Sequence, residues 1–123
     1  MKGIGLLGEQ YAADLLTLRG YRVVTRNYRA ACGEIDLIAE QADIVAFVEV
    51  KTRGPRPLGR PAEAVTISKQ RRIIQTAMHY LMEYPTDRQP RFDVIEIMTQ
   101  QGCVTAYRHW KGAFELDQTN RPD

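Results

Sequence analysis

Apolar residues recur at spacings of three and four through Leu6, Leu7, Tyr11, Ala12, Leu15, Leu16 and Leu18. That period predicts an amphipathic helix, and Gly20 is placed to stop it. A short extended stretch follows from Tyr21 to about Tyr28, centred on Val23 and Val24. Gly33-Glu34-Ile35-Asp36-Leu37-Ile38-Ala39 reads as a strand, with a turn around Gln41-Ala42-Asp43. Ile44-Val45-Ala46-Phe47-Val48-Glu49-Val50-Lys51 is almost continuously apolar, which predicts a central strand covered on both faces. The turn between these two runs is short, so they should form an antiparallel hairpin.

From Thr52 to Pro61 the pattern breaks. Two glycines, three prolines and three arginines in ten residues exclude a helix or an inner strand and predict a mobile basic loop. A second helix should follow, N-capped by Ser68, with Ile73, Ile74, Ala77, Tyr80 and Leu81 as its stripe and an end near Tyr84-Pro85. Phe92 to Met98 and Val104 to Trp110 predict two more strands. The order α-β-β-β-α-β-β specifies an α/β fold, one mixed sheet of about five strands with flanking helices. Residues 1–116 are expected to form a single domain, and 117–123 a frayed tail.

The chain has 123 residues, of which 44% are hydrophobic and 26% charged, as in an ordinary globular protein able to bury one core. A net charge of +2 does not by itself argue for nucleic acid. Two separated cysteines and two histidines make a structural zinc site a poor fit. The thiols are expected reduced in a cytoplasmic protein. The apolar run at the N-terminus is too short for a signal peptide, and no stretch approaches a membrane span.

The candidate chemistry lies at the end of the hairpin. Strand side chains alternate, so Glu49 and Lys51 share a face, about 7 Å apart. If the pleats match, Asp36, thirteen residues upstream of Glu49, points to the same side. Two carboxylates suit a hard divalent cation such as Mg²⁺, with water and phosphate oxygens completing its shell, and Lys51 would serve a phosphate or the attacking water. Glu9 interrupts the apolar face of the first helix, and Gln70 extends the core stripe of the second as a polar residue. A plainer arrangement remains open from spacing alone, with Glu49 and Lys51 as a surface ion pair, Asp36 in a turn network, and Glu9 and Gln70 solvated. Two basic clusters, Arg53, Arg56 and Arg60 in the loop and Lys69, Arg71 and Arg72 on the helix, would flank the acids where a polyanion needs them. Met78, Met82, Tyr80 and Tyr84 are expected to pack, and His79 and His109 to be structural or surface residues.

Asp36 followed by Glu49-Val50-Lys51 resembles the core motif of the PD-(D/E)XK, or restriction-endonuclease-like, nuclease superfamily. Gly8-Glu9, Gly33 to Ile38, Val48 to Arg53, Lys69-Gln70 and Arg91 to Val94 resemble more narrowly the YraN family of small bacterial proteins. The resemblance runs from about Gly5 to Phe114. It implies a Holliday-junction-resolvase-like core in which Asp36 and Glu49 bind Mg²⁺ or Mn²⁺, Lys51 assists catalysis, and Glu9 and Gln70 complete the site. Ile35 stands where the name-giving motif has proline. The function so implied is metal-dependent hydrolysis of phosphodiester bonds in DNA, of branched or structured form, read through shape or backbone. Arg53, Arg56, Arg60 and Lys69 would contact the nucleic acid, and a homodimer would suit a symmetric junction. The alternative is a non-catalytic nucleic-acid- or partner-binding module that keeps the fold.

Overall fold

A computed structural model describes residues 2–54 and 65–115, with the backbone alone for 2–6. The Pro- and Arg-rich run from 55 to 61, including Arg56 and Arg60, and the tail 117–123 lie outside the described residues. The elements are α1 (Lys2–Leu18), β1 (Arg22–Ala30), β2 (Gly33–Gln41), β3 (Ile44–Arg53), α2 (Ile67–Glu83), β4 (Gln89–Gln100) and β5 (Cys103–Phe114). The α/β order matches the expectation. The last two strands run several residues further than the apolar runs alone mark, because polar residues at their ends still pair in the ladder.

The five strands form one mixed sheet in the order β1-β2-β3-β4-β5. β3 is central, as its apolar run requires. It pairs antiparallel with β2, as the hairpin reading predicts, and parallel with β4. The β3–β4 pairing is parallel because α2 lies in the connection between them. Alternation along β3 divides the core. Val45 and Phe47 join Ile35, Ile38, Ile73, Ile74, Ala77 and Tyr80 under α2. Ala46 and Val48 join Leu37, Ile95, Ile97 and α1's Ala12, Ala13 and Leu16 on the other face.

The stripe that α1 buries is not the leucine-rich one. Leu7, Tyr11 and Leu18 are exposed, while Gly8, Ala12, Ala13 and Leu16 are buried. Small residues let the helix axis approach the sheet. A Cβ built at Gly8 would run into Thr52 Oγ1 on β3, so only glycine allows this approach. The helix ends at Leu18, and Gly20, at φ +91°, turns the chain into β1.

The N-cap of α2 is Thr66, not Ser68. Its Oγ1 accepts from Lys69 N at 3.2 Å, and the helix begins at Ile67. Thr66 therefore satisfies the orphan N–H three residues on, which Ser68, inside the first turn, is not placed to do. The end at Tyr84 is as expected. Tyr80 packs in the core, the Tyr84 ring lies 4.9 Å from it, and Met78, though partly exposed, lines a hollow with Phe92 and Phe114; Met82 is exposed, and there the expectation of packing fails. No helix among the described residues is long and apolar enough to cross a membrane.

Candidate metal centre

The site begins where the sheet opens. Pairing between β2 and β3 runs from Gln41↔Ile44 to Leu37↔Val48 and stops there. Asp36 and Glu49 are the next residues on each strand. Asp36 Oδ2 accepts from Val50 N at 2.7 Å, so a carboxylate takes the place of the backbone carbonyl that a continuous ladder would supply. Leu37 and Val48 face α1, so alternation turns Asp36, Glu49 and Lys51 toward α2. The matched pleats expected from spacing are present.

A cleft of about 190 Å³ lies between Asp36, Glu49 and Glu34 on the strands and Lys69, Arg72 and Ile73 on α2. Glu49 is only 6% exposed. Its Oε2 stands 2.6 Å from Lys69 Nζ and 3.7 Å from Lys51 Nζ. Burial, and next the charge of Glu49, push the Asp36 carboxyl up to about 7, against the Val50 N–H, which acts to lower it. Burial and the neighbouring Lys69 push the Lys51 ammonium down. Lys69 goes the other way: burial acts against its charge, but the hydrogen bond and charge of Glu49, with Lys51 and Asp36, together raise its pKa. Two acids and two lysines are thus packed at one end of the apolar core.

Gln70 is buried in the first turns of α2. Its Nε2 donates to Val65 O at 2.8 Å, and its Oε1 is buried with no hydrogen-bond partner among the described residues. Glu9 does not line the cleft, but its charge is felt at Asp36, a smaller influence than that of Glu49. No group of three or more His, Cys, Asp or Glu side chains among the described residues stands close enough to hold a metal ion. The candidate ligands are the pair Asp36 and Glu49, with Glu9 behind them. This pair fits a hard divalent cation. It offers oxygen donors of the number magnesium takes from protein, and an acid whose charge is disfavoured until a cation arrives. The unpartnered Gln70 oxygen adds an acceptor suited to a bound water.

The other predicted residues divide. Lys69 is at the site. Arg53, on β3, is turned inward, with its Nε 2.6 Å from Glu96 Oε2 in an ionic contact whose angle makes no hydrogen bond. Glu96 is 3% exposed and was not anticipated, although an acid inside the apolar run of β4 is a visible signal. Asp93 is the second such acid. It is fully buried, accepting from Arg91 Nε and Nη2 (both 2.9 Å), Gly112 N (3.0 Å) and His109 Nε2 (2.8 Å). Burial alone would raise its pKa, but these donors hold it below the usual carboxylate range. His109 is structural, as expected.

The fold and the site define a class: a single mixed α/β sheet whose central hairpin opens around an Asp–Glu–Lys set. Within that class, the chain belongs to the uncharacterised protein family UPF0102, the YraN family, whose model matches residues 8–97. It is 50% identical over 95 residues to a UPF0102 protein of Symbiobacterium thermophilum, covering 76% of this chain and 80% of that one. It is 43% identical to one from Syntrophotalea carbinolica, covering 93% of each. It is 46% identical to one from Rhodococcus opacus, covering 90% of this chain and 95% of the relative. Each is similar along most of its length.

Proposed function

We propose that this protein is a metal-dependent nuclease that hydrolyses phosphodiester bonds in DNA. The observation that carries this reading is the convergence of Asp36, Glu49 and Lys51 where β2 and β3 part, with Lys69 2.6 Å from Glu49. In this reading Asp36 and Glu49 hold Mg²⁺ or Mn²⁺, with Glu9 as an outer neighbour. When bound, the metal supplies positive charge for the phosphate and a more acidic water. Lys51, whose ammonium pKa is pushed down by burial and by Lys69, orients the attacking water or, as the cation, neutralises the phosphate oxygens. Gln70 Oε1 accepts a hydrogen bond from that water, and Lys69 and Arg72 receive the phosphodiester at the mouth of the cleft.

A cleavage panel tests this. Single-stranded, duplex, flapped and four-way DNA are incubated with Mg²⁺ or Mn²⁺, with Lys51→Ala as the control. Metal-dependent cutting by the wild type that Lys51→Ala loses is the expected result. Absence of cutting on every form ends the enzyme reading. Salt-dependent DNA binding that Glu49→Ala leaves unchanged would favour the alternative, a binding module that keeps the fold.

A further inference from the structure

The register of the sheet extends the site's face toward β5. Residues paired across a ladder project to the same side. Glu49 pairs with Val94, and Val94 with Trp110; Lys51 pairs with Glu96, and Glu96 with Arg108. Val94 belongs to the α2-side core, which fixes the face. Glu49, Val94 and Trp110 thus form one row across the sheet, and Lys51, Glu96 and Arg108 the next. Two strand spacings separate each end from the acids and lysine, about 10 Å. Trp110 is 37% exposed and Arg108 is exposed, and Arg108 makes no ion pair among the described residues. α2 packs over β2 and β1 and reaches the Phe114 end of β5, where Met78 lines a hollow with Phe92 and Phe114; Trp110 and Arg108 lie further along β5 and are exposed.

An exposed indole beside a guanidinium that makes no ion pair among the described residues, on the same face as a site for a phosphodiester and two strands from it, fits one occupant. We infer that Trp110 and Arg108 form a subsite for an unpaired nucleotide flanking the bond to be cut, its base stacked on the indole and its phosphate held by the guanidinium. An indole face is offered to a base only when that base is not stacked in a duplex. The inference rests on the nuclease reading and narrows it to DNA with a single-stranded segment beside the target bond.

Trp110 is the only tryptophan in the chain, so intrinsic fluorescence reports this position alone. Wild-type protein is titrated without divalent metal with a single-stranded oligothymidylate and with a blunt duplex of equal length. Binding is followed in parallel by anisotropy of a labelled strand. The single strand is expected to quench Trp110 emission and to bind more tightly than the duplex. Trp110→Leu should weaken single-strand binding by about tenfold while Trp110→Phe restores most of it, as loss of a stacked base predicts. Arg108→Gln should lower the slope of log affinity against log salt by about 0.7. Binding by anisotropy with unchanged emission, and with Trp110→Leu and Arg108→Gln both equal to wild type, would overturn the subsite and leave the nuclease reading standing. Failure of both DNAs to bind at low salt would likewise overturn the subsite, and the nuclease reading then stands or falls on the cleavage panel alone.

Discussion

Replacing Asp36 by Asn should make the protein more stable at neutral and alkaline pH. The asparagine Oδ1 can still accept from Val50 N, so the substitution keeps the bond that closes the fork and removes the charge. In the fold that carboxyl is raised from 3.8 to about 7, first by burial and then by Glu49. At 1.36 kcal/mol per pH unit the difference corresponds to roughly 4 kcal/mol. Asp36 is only partly shielded and opens on a cleft, and solvent screening reduces the figure to about 2 kcal/mol. The sign follows from proton binding. Between pH 4 and 7 the folded state holds a proton that the unfolded chain has lost, so stability is fully present below about 4 and drains away as pH rises through 7.

Urea unfolding of both proteins in EDTA at pH 4.5, 6.5 and 8.5 measures the effect. Asp36→Asn should exceed wild type by about 2 kcal/mol at pH 8.5, and the gap should close toward pH 4.5. A gap independent of pH would mean that the charge at Asp36 is already balanced in the fold, and the reasoning would fall. Mg²⁺ supplies a second, separate comparison. If the acids hold it, millimolar metal should raise the stability of wild type at pH 8.5 and leave Asp36→Asn nearly unmoved.

Lys69→Met removes the cation 2.6 Å from Glu49. It should tighten Mn²⁺ binding about fivefold by calorimetry without DNA, an effect of about 1 kcal/mol after screening of this partly exposed side chain; weaker binding would show that Lys69 does not compete with the metal. Asp93→Ala strips the partners from Arg91 and His109 and should cost about 3–5 kcal/mol in urea unfolding at pH 7. Because Asp93 is held below its ordinary pKa, its contribution is present above about pH 4 and lost as pH falls further, so the difference between wild type and Asp93→Ala should shrink in acid.

What could be read from the chain followed local rules. The central strand, the hairpin and its facing were legible because a period of two and a short turn leave little freedom between Asp36 and Glu49. Ser68 was misassigned as a cap because two hydroxyl residues, Thr66 and Ser68, stand two apart, and only the helix start decides between them. The apolar periodicity of α1 marked a helix but not its buried side. That side is chosen by how closely Gly8 and the alanines let it approach β3, a tertiary constraint. Arg53 has the composition of a phosphate contact, yet its strand position turns it toward Glu96. The Asp93 network joins Tyr21, just before β1, to residues of β4 and β5 through their side chains, and no local pattern links Tyr21, Arg91 and His109.

One boundary on the α2 face explains why charge and core lie so close together. α2 begins at Ile67, held by the Thr66 cap, and its apolar stripe from Ile73 onward covers Phe47, Ile38 and Ile35. Past its first turn the helix can no longer cover the strands, and the residues on β3 change from Val45 and Phe47 to Glu49, Lys51 and Arg53 on the same face. The β2–β3 ladder ends at the same level, where Asp36 replaces a backbone acceptor. Helix start, strand divergence and charge therefore coincide at one height in the sheet. A polar set placed earlier on β3 would be sealed under α2 without solvent; one row later, Glu96 is also buried and is met there by Arg53. The position leaves the acids buried yet open through a cleft of about 190 Å³, as the proposed metal site requires.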